Sequence, residues 1–403
     1  MELLIHKKVL GTGLHLLTNP ATATVQWVVD IPENVWVVGQ DEHPGSVENL
    51  MHVLGEKPID LFPRSHIQAF KELCPDGLRE EVPWRWVLSD DHYMERLNMI
   101  IEKSRINVCA LEDSNYDQTY KTIREFLLGL RRPLVDADKL KSYIASNDKG
   151  MTVEASLRSF MPEGNRASKV VYDQAGTATG RLTVKQGPRI LTLPSRYRDI
   201  IKADHGCEIV QIDLVSAEPR TALYVAGKQA AGDVYSSISK DLGLDVERDV
   251  VKVASLSALY GAGSSSLSNL LGSKVLAKRV IERLRDHFGV RRVESQLLSD
   301  MKSNGYITNL FGRKMMTRRD EVQKLYSHFM QSTTSDAAIT MFSNACYEML
   351  KEDEMFKPYY VIHDALVCQL TSSKRKCLEE KTRYLDLPGV GFYETKMTSI
   401  SDN

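Results

Sequence analysis

Apolar residues in the first hundred positions fall in short runs, Val25 to Val29 and Asn34 to Val38, broken by turn residues, and then at helix spacing near Ile67 to Leu73. That sequence of periods predicts a small mixed α/β unit. From Tyr93 to Leu157 the period becomes helical: Leu97, Ile100 and Ile101, then Ile123, Phe126, Leu127 and Leu130, with Pro133 and Gly150 as interruptions. Ile209, Val210 and Ile212 predict a half-buried strand over Glu208 to Asp213 that ends on a carboxylate. Helical spacing then dominates Ala217 to Ser303, Asn304-Gly305 marks a turn before Tyr306 to Phe311, and a further helix is predicted over Val322 to Leu350. Tyr359 to Leu370, YYVIHDALVCQL, is β-branched and aromatic on both sides of His363-Asp364, which predicts two short strands meeting at a tight bend. A last helix is predicted over Ser373 to Leu385, before a frayed end at Ser401 to Asn403.

The chain has 403 residues, enough for two or three domains, and its 42% hydrophobic and 26% charged residues describe a soluble globular protein. A net charge of -1 argues against a nucleic-acid partner only until it is resolved along the chain. Residues 1 to 100 hold 8 Lys and Arg against 15 Asp and Glu, and the rest hold 44 against 38, so the basic part follows the acidic one. Six cysteines, with no C-x-x-C pair and no dense pattern, predict free thiols in a reducing compartment rather than zinc or disulfides. No apolar run is long enough to span a membrane, and MELLIHKKVLG places its lysines after its apolar patch, unlike a secretory signal. A cytoplasmic protein with no membrane partner is expected.

Three separated clusters carry candidate chemistry. Asp213 ends an apolar strand and Asp364 lies within the apolar strand pair, and burying either is costly unless it is paired or bound to metal. Brought together, they could bridge two Mg²⁺ ions for phosphoryl transfer; taken singly, each is equally explained as a locally hydrogen-bonded turn residue. Arg248, Lys252, Leu256 and Tyr260 advance about 400° per four-residue step, so they share one broad helix face that can present cations to phosphates. A solvated basic face would explain Arg248 and Lys252 alone.

In order along the chain, these clusters resemble the family-A DNA polymerases from about Asp173 to Val367. The blocks are TATGRL (Thr177 to Leu182) with ILTLPSRY after it, DLVSAEPR (Asp213 to Arg220), RDVVKVASLSALYG (Arg248 to Gly261), GYITNLFGRK (Gly305 to Lys314), QSTTSD (Gln331 to Asp336) and VIHDALV. The resemblance implies an α+β right hand: an antiparallel palm sheet, helical fingers and a thumb, acting on primer-template DNA and dNTPs with two Mg²⁺ ions, or Mn²⁺ in their place. It implies that Asp213, Asp364 and the carbonyl of Leu214 bind metal. Arg248 and Lys252 would hold the incoming phosphates, with Lys252 protonating the departing pyrophosphate, and Leu256, Tyr260, Glu218 and Tyr235 would complete the nucleotide site. Glu218 would exclude a ribose 2′-hydroxyl. Arg181, Gln331 and His363 would touch primer or minor groove, and Arg313 and Lys314, with Arg318 and Arg319, would meet DNA phosphates, although a solvated basic loop explains that stretch equally well.

This sequence departs from the family pattern at several positions. Leu256 and Ser257 stand where an aromatic residue and a glycine are usual, Tyr235 where a His is, Ala365 where a Glu follows the second metal-binding Asp, and Gln323 and Ser327 where Arg and Asn are. Between Met1 and Phe160 no Asp is followed two residues later by Glu, so no 3′ to 5′ proofreading nuclease is expected. The expected division is an acidic N-terminal α/β domain over 1–110, a thumb-like helical region over 111–170, palm over 171–227 and 305–403, and fingers over 228–304. A single-subunit RNA polymerase is the nearest rival reading, opposed by Glu218 and TATGRL. A catalytically dead replication factor is the rival of another class. Accessory replication partners are not legible.

Overall fold

The computed structural model describes the chain apart from residues 1, 20–21, 23, 33–34, 41–42, 44, 55, 57–58, 60, 75–81, 113, 147–149, 230–231, 244–245, 262–264, 317–323 and 401–403. Expectations for Asn34, Arg318, Arg319, Val322, Gln323 and the frayed end at Ser401 to Asn403 lie outside the described residues. Two compact units, Met1–Asp117 and Gln118–Asn403, divide the chain. One long helix, Asp90–Glu112, runs through residue 110.

The first unit contains β1 (Leu3–Ile5), α1 (Lys7–Leu10), β2 (His15–Asn19), β3 (Thr24–Val28), β4 (Trp36–Val38), α2 (Val47–Leu54), α3 (Arg64–Leu73), α4 (Trp84–Val87) and α5 (Asp90–Glu112). Its sheet runs β3-β2-β1-β4, with β1 antiparallel to β2 and parallel to β4. That is the mixed α/β arrangement read from the apolar runs.

The second unit begins within α6 (Asp117–Gly129), followed by β5 (Leu134–Val135), α7 (Ala137–Ala145), α8 (Met151–Arg158), β6 (Val171–Asp173), β7 (Thr183–Gln186), β8 (Ile201–Lys202) and β9 (Cys207–Leu214). Helices α9 (Ala217–Val225), α10 (Val234–Leu242), α11 (Arg248–Tyr260), α12 (Ser265–Leu271), α13 (Lys274–His287) and α14 (Val290–Asn304) follow. The short hairpin β10 (Ile307–Thr308) and β11 (Lys314–Met315) leads to α15 (Leu325–Glu352), then β12 (Lys357–Ile362), β13 (Ala365–Thr371), α16 (Arg375–Thr382), β14 (Tyr384–Leu387) and β15 (Gly391–Ser399).

A five-stranded antiparallel sheet, ordered β12-β13-β9-β15-β14, forms the centre of this unit. One core lies beneath it, where Val210, Ile212, Val361, Leu366 and Tyr393 pack with Ile339 and Phe342 of α15. A second core joins α9 to α14 and the start of α15, through Val251, Ala258, Leu284, Phe288 and Met330. The expected helix over Ser373 to Leu385 is shorter: α16 ends at Thr382, and Tyr384 and Leu385 belong to β14, which pairs Leu385 with Tyr393. The β14–β15 hairpin was not legible because its strands alternate weakly, with charged and aromatic residues on the exposed side. No helix among the described residues is long and apolar enough to cross a membrane.

Candidate active site

Strand β9 buries Val210, Ile212 and Leu214, so the period of two puts Gln211 and Asp213 on the opposite face. Asp213 pairs in register with Ala365 on β13 and Lys396 on β15. Asp364 immediately precedes β13, and its carbonyl accepts a 3.0 Å hydrogen bond from the backbone N–H of Leu214. That bond and the Asp213–Ala365 pairing bring the backbones at the two acids together, and the Asp213 charge acts on the Asp364 carboxyl. Asp364 occupies the bend itself rather than a strand.

His363 and Ser216, each with φ 56°, are the non-glycine residues of positive φ among the described residues. One turns β12 into β13 beside Asp364, and the other turns β9 toward α9 beside Glu218. Strain at such positions persists where surrounding structure enforces it, and it clusters at functional sites.

Burial raises both carboxyls above the usual Asp range. For Asp213 the hydrogen bond from Gln211 and the charges of Arg198 and Lys396 oppose that rise; for Asp364 the neighbouring Glu218 and Asp213 charges add to it. Glu218, in the first turn of α9, accepts hydrogen bonds on Oε1 from the Tyr260 hydroxyl and, at 2.9 Å, from Arg181 Nη2. Tyr260 is accordingly pushed far above its ordinary value, first by burial and then by the Glu218 charge. Arg181, Glu218, Gln331, His363 and Asp364 line one cavity of about 250 Å³. Arg220, grouped with Asp213 and Glu218 by sequence, is buried and braces the start of α9, donating to the carbonyls of Val215 (3.0 Å) and Gly232 (2.7 Å).

Helix α11 buries Val251, Ala254, Ser255 and Ala258 and carries Arg248, Lys252, Leu256 and Tyr260 away from that side. Tyr260 reaches Glu218, Leu256 is half-buried and Lys252 is exposed. Arg248 is held by Asp233, whose Oδ1 accepts from Nε (3.0 Å) and Nη2 (2.6 Å), and its guanidinium lies 5.1 Å from the ring centre of the buried Tyr235.

Arg313 needs correction as a DNA-contacting residue. It is 3% exposed, its guanidinium lies 3.7 Å from the Asp336 carboxylate, and it donates to the Gln174 carbonyl. A Cβ on Gly180, at φ +73°, would come within 2.5 Å of that guanidinium, so Arg313 props the TGRL turn from inside. The basic stretch read as one surface thus splits: Lys314 is half-buried, with Nζ 5.0 Å from the Tyr306 ring, while Arg313 faces the interior. Asn309, buried and bonded to Asp336 (2.7 Å) and Ser332 (3.0 Å), belongs to the same support and was not singled out by sequence.

No group of three or more His, Cys, Asp and Glu residues suited to a metal is present among the described residues. Two neighbouring carboxylates, half-buried and, among the described residues, with no Arg or Lys shown bonded to either, still suit Mg²⁺, which is commonly held by one or two carboxylates together with substrate phosphates and water.

The architecture is that of a polymerase domain. It is similar to the POL domain of Pol1 from M. smegmatis, solved in complex with DNA primer-template and dNTP, with a TM-score of 0.60 and 14% identity over 99% of this chain and 95% of that one. The chain belongs to DNA polymerase family A, whose model matches residues 97–385. It is 26% identical over 342 residues to the DNA polymerase of Mycobacterium phage D29, covering 76% of this chain and 54% of that protein. Over 165 residues it is 28% identical to DNA polymerase I of Chloroflexus aurantiacus, covering 36% and 17%. The chain thus spans about half the length of the phage D29 relative.

Proposed function

We propose that this chain is a DNA-directed DNA polymerase that extends a primer 3′-hydroxyl with dNTPs by phosphoryl transfer assisted by two metal ions. The observation that carries this reading is the meeting of the end of β9 with the bend before β13, where the charges of Asp213 and Glu218 both act on Asp364 and Glu218 is held by Tyr260 and Arg181. Asp213, Asp364 and the Leu214 carbonyl would hold Mg²⁺, or Mn²⁺ in its place, supplying charge stabilisation for in-line attack on the α-phosphate.

Lys252, exposed on α11, neutralises the triphosphate and gives a proton from Nζ to the departing pyrophosphate. Arg248 grips the same phosphates, and Tyr235, under its guanidinium, fixes that side chain's plane. Leu256 and Tyr260 flank the incoming sugar and base. Glu218, pinned by Tyr260 and Arg181, occupies the space a 2′-hydroxyl would need, so ribonucleotides meet both a clash and a desolvated carboxylate. Arg181, Gln331 and His363 touch the primer or the minor groove of primer-template DNA, and Lys314 adds a phosphate contact with little sequence preference.

Residues 171–227 and 305–403 act as palm, 228–304 as fingers and 111–170 as a thumb-like region. The 1–110 segment, in which no Asp is followed two residues later by Glu, contributes no proofreading nuclease. The protein works in the cytoplasm, alone or with accessory replication proteins.

The test is extension of a primed template with Mg²⁺, supplied with dNTPs or rNTPs. Extension from dNTPs is expected. Preference for rNTPs would point to a single-subunit RNA polymerase, and DNA binding without extension to a dead replication factor.

A further inference from the structure

Asp213 carries the proposed chemistry on the shortest acidic side chain, whose terminal torsion is only weakly held by intrinsic preferences. Its cross-strand neighbours do little to orient it: Ala365 offers a methyl group, and Lys396 is exposed. Among the described residues, the donor to its carboxylate is Gln211, two positions earlier on the same face of β9. Gln211 Nε2 donates to Asp213 Oδ1 at 2.9 Å and to Oδ2 at 3.0 Å.

The Gln211 amide is itself oriented from behind. Its Oε1 accepts a 2.8 Å hydrogen bond from Arg198 Nη1, and Arg198 donates from Nε to the Leu193 carbonyl at 3.3 Å. Turning the amide over would set its oxygen against the Asp213 carboxylate and its N–H groups against the Arg198 guanidinium, so one orientation is dictated. The segment Ser195–Ile200 is a turn of 3₁₀ helix packed on the palm core through Tyr197 and Ile200. The chain of contacts therefore runs from a rigid element, through Arg198 and Gln211, to both oxygens of Asp213.

We propose that Gln211, oriented by Arg198, is the positioning residue for the Asp213 carboxylate and thereby sets how tightly the site takes a divalent cation. The proposal rests on the polymerase reading for what the cation is for, and on the hydrogen bonds alone for the positioning. Partners that orient a ligating carboxylate typically change metal affinity or activity by about 10- to 100-fold when removed. Gln211 stands two residues before Asp213, the spacing that shares a strand face, so its place was readable; its hydrogen bonds were not.

The experiment measures Mn²⁺ binding to the full chain without DNA, from the signal of free Mn²⁺ in electron paramagnetic resonance, alongside kcat and KM for primer extension. Gln211→Leu keeps the bulk of the side chain without the amide. It is expected to weaken Mn²⁺ binding about tenfold and to lower kcat, with dNTP KM and DNA affinity unchanged. Arg198→Met, which leaves the amide in place, should shift both quantities the same way by less. The double variant should match Gln211→Leu, because the two act through one contact. Wild-type Mn²⁺ affinity and kcat in folded Gln211→Leu, or effects of the two changes that simply add, would overturn the proposal. If the wild type extends no primer while Gln211→Leu still weakens Mn²⁺ binding, the polymerase reading fails and the positioning role stands.

Discussion

At the scale of single residues, the acids are the sharpest test. Burial raises the carboxyls of Asp213 and Asp364, so the folded protein holds their protons more tightly than the unfolded chain does. Their contribution to stability is therefore full below the ordinary Asp range and is lost as pH rises through their raised values. Asp213→Asn and Asp364→Asn should each reduce primer extension about a thousandfold or more. In EDTA at neutral pH the same variants should melt about 2 °C higher than the wild type, a difference that closes in acid. Equal melting temperatures at neutral pH would show that the carboxylates are solvated after all. Glu218 makes a different prediction: Glu218→Ala removes the group held by Tyr260 and Arg181, and the ratio of rNTP to dNTP incorporation, measured by competitive extension, should rise about tenfold or more. An unchanged ratio would place the sugar discrimination elsewhere. Leu256, half-buried on α11, keeps the departure from an aromatic residue visible in the structure without replacing the ring by a neighbour that could be named.

At the scale of elements, β9 was legible from its alternating Ile209, Val210 and Ile212, and the bend between β12 and β13 falls where His363-Asp364 interrupts an apolar run. Helix α11 was legible from its four-residue spacing, and it buries Val251, Ala254, Ser255 and Ala258 while leaving Arg248 and Lys252 exposed. The contact between the TGRL turn and the β10–β11 hairpin was not legible, since it joins residues more than a hundred positions apart. There, Gly180 is required twice over, by its φ of +73° and by the Arg313 guanidinium that would meet a side chain. Gly180→Ala should therefore lower stability by roughly 2 kcal/mol. The check is urea unfolding, in which a midpoint unchanged from wild type would mean that the turn relaxes freely.

At the scale of the whole molecule, the charge asymmetry and the two compact units tell the same story: the acidic segment and the proposed chemistry sit in different parts of the chain. Every side chain named in the proposed site lies beyond Gln118, and the cores around the five-stranded sheet and among α9 to α15 are built without the first unit. A fragment beginning at Gln118 should fold cooperatively and extend a primer at a rate within about tenfold of the full chain. A fragment that unfolds or cannot extend would mean that residues 1–117 support the palm or fingers.

Local patterning by itself determined the periods of the main elements, the order of the blocks and the family resemblance, since apolar spacing and motif order are properties of neighbours in the chain. Only the tertiary structure decided which acid stands beside which, that Arg313 turns inward, that Asp233 holds Arg248, and that Gln211 reaches Asp213. Those facts depend on strand register and on side-chain partners distant in sequence or chosen by packing. Neither leaves a periodic trace in a single chain.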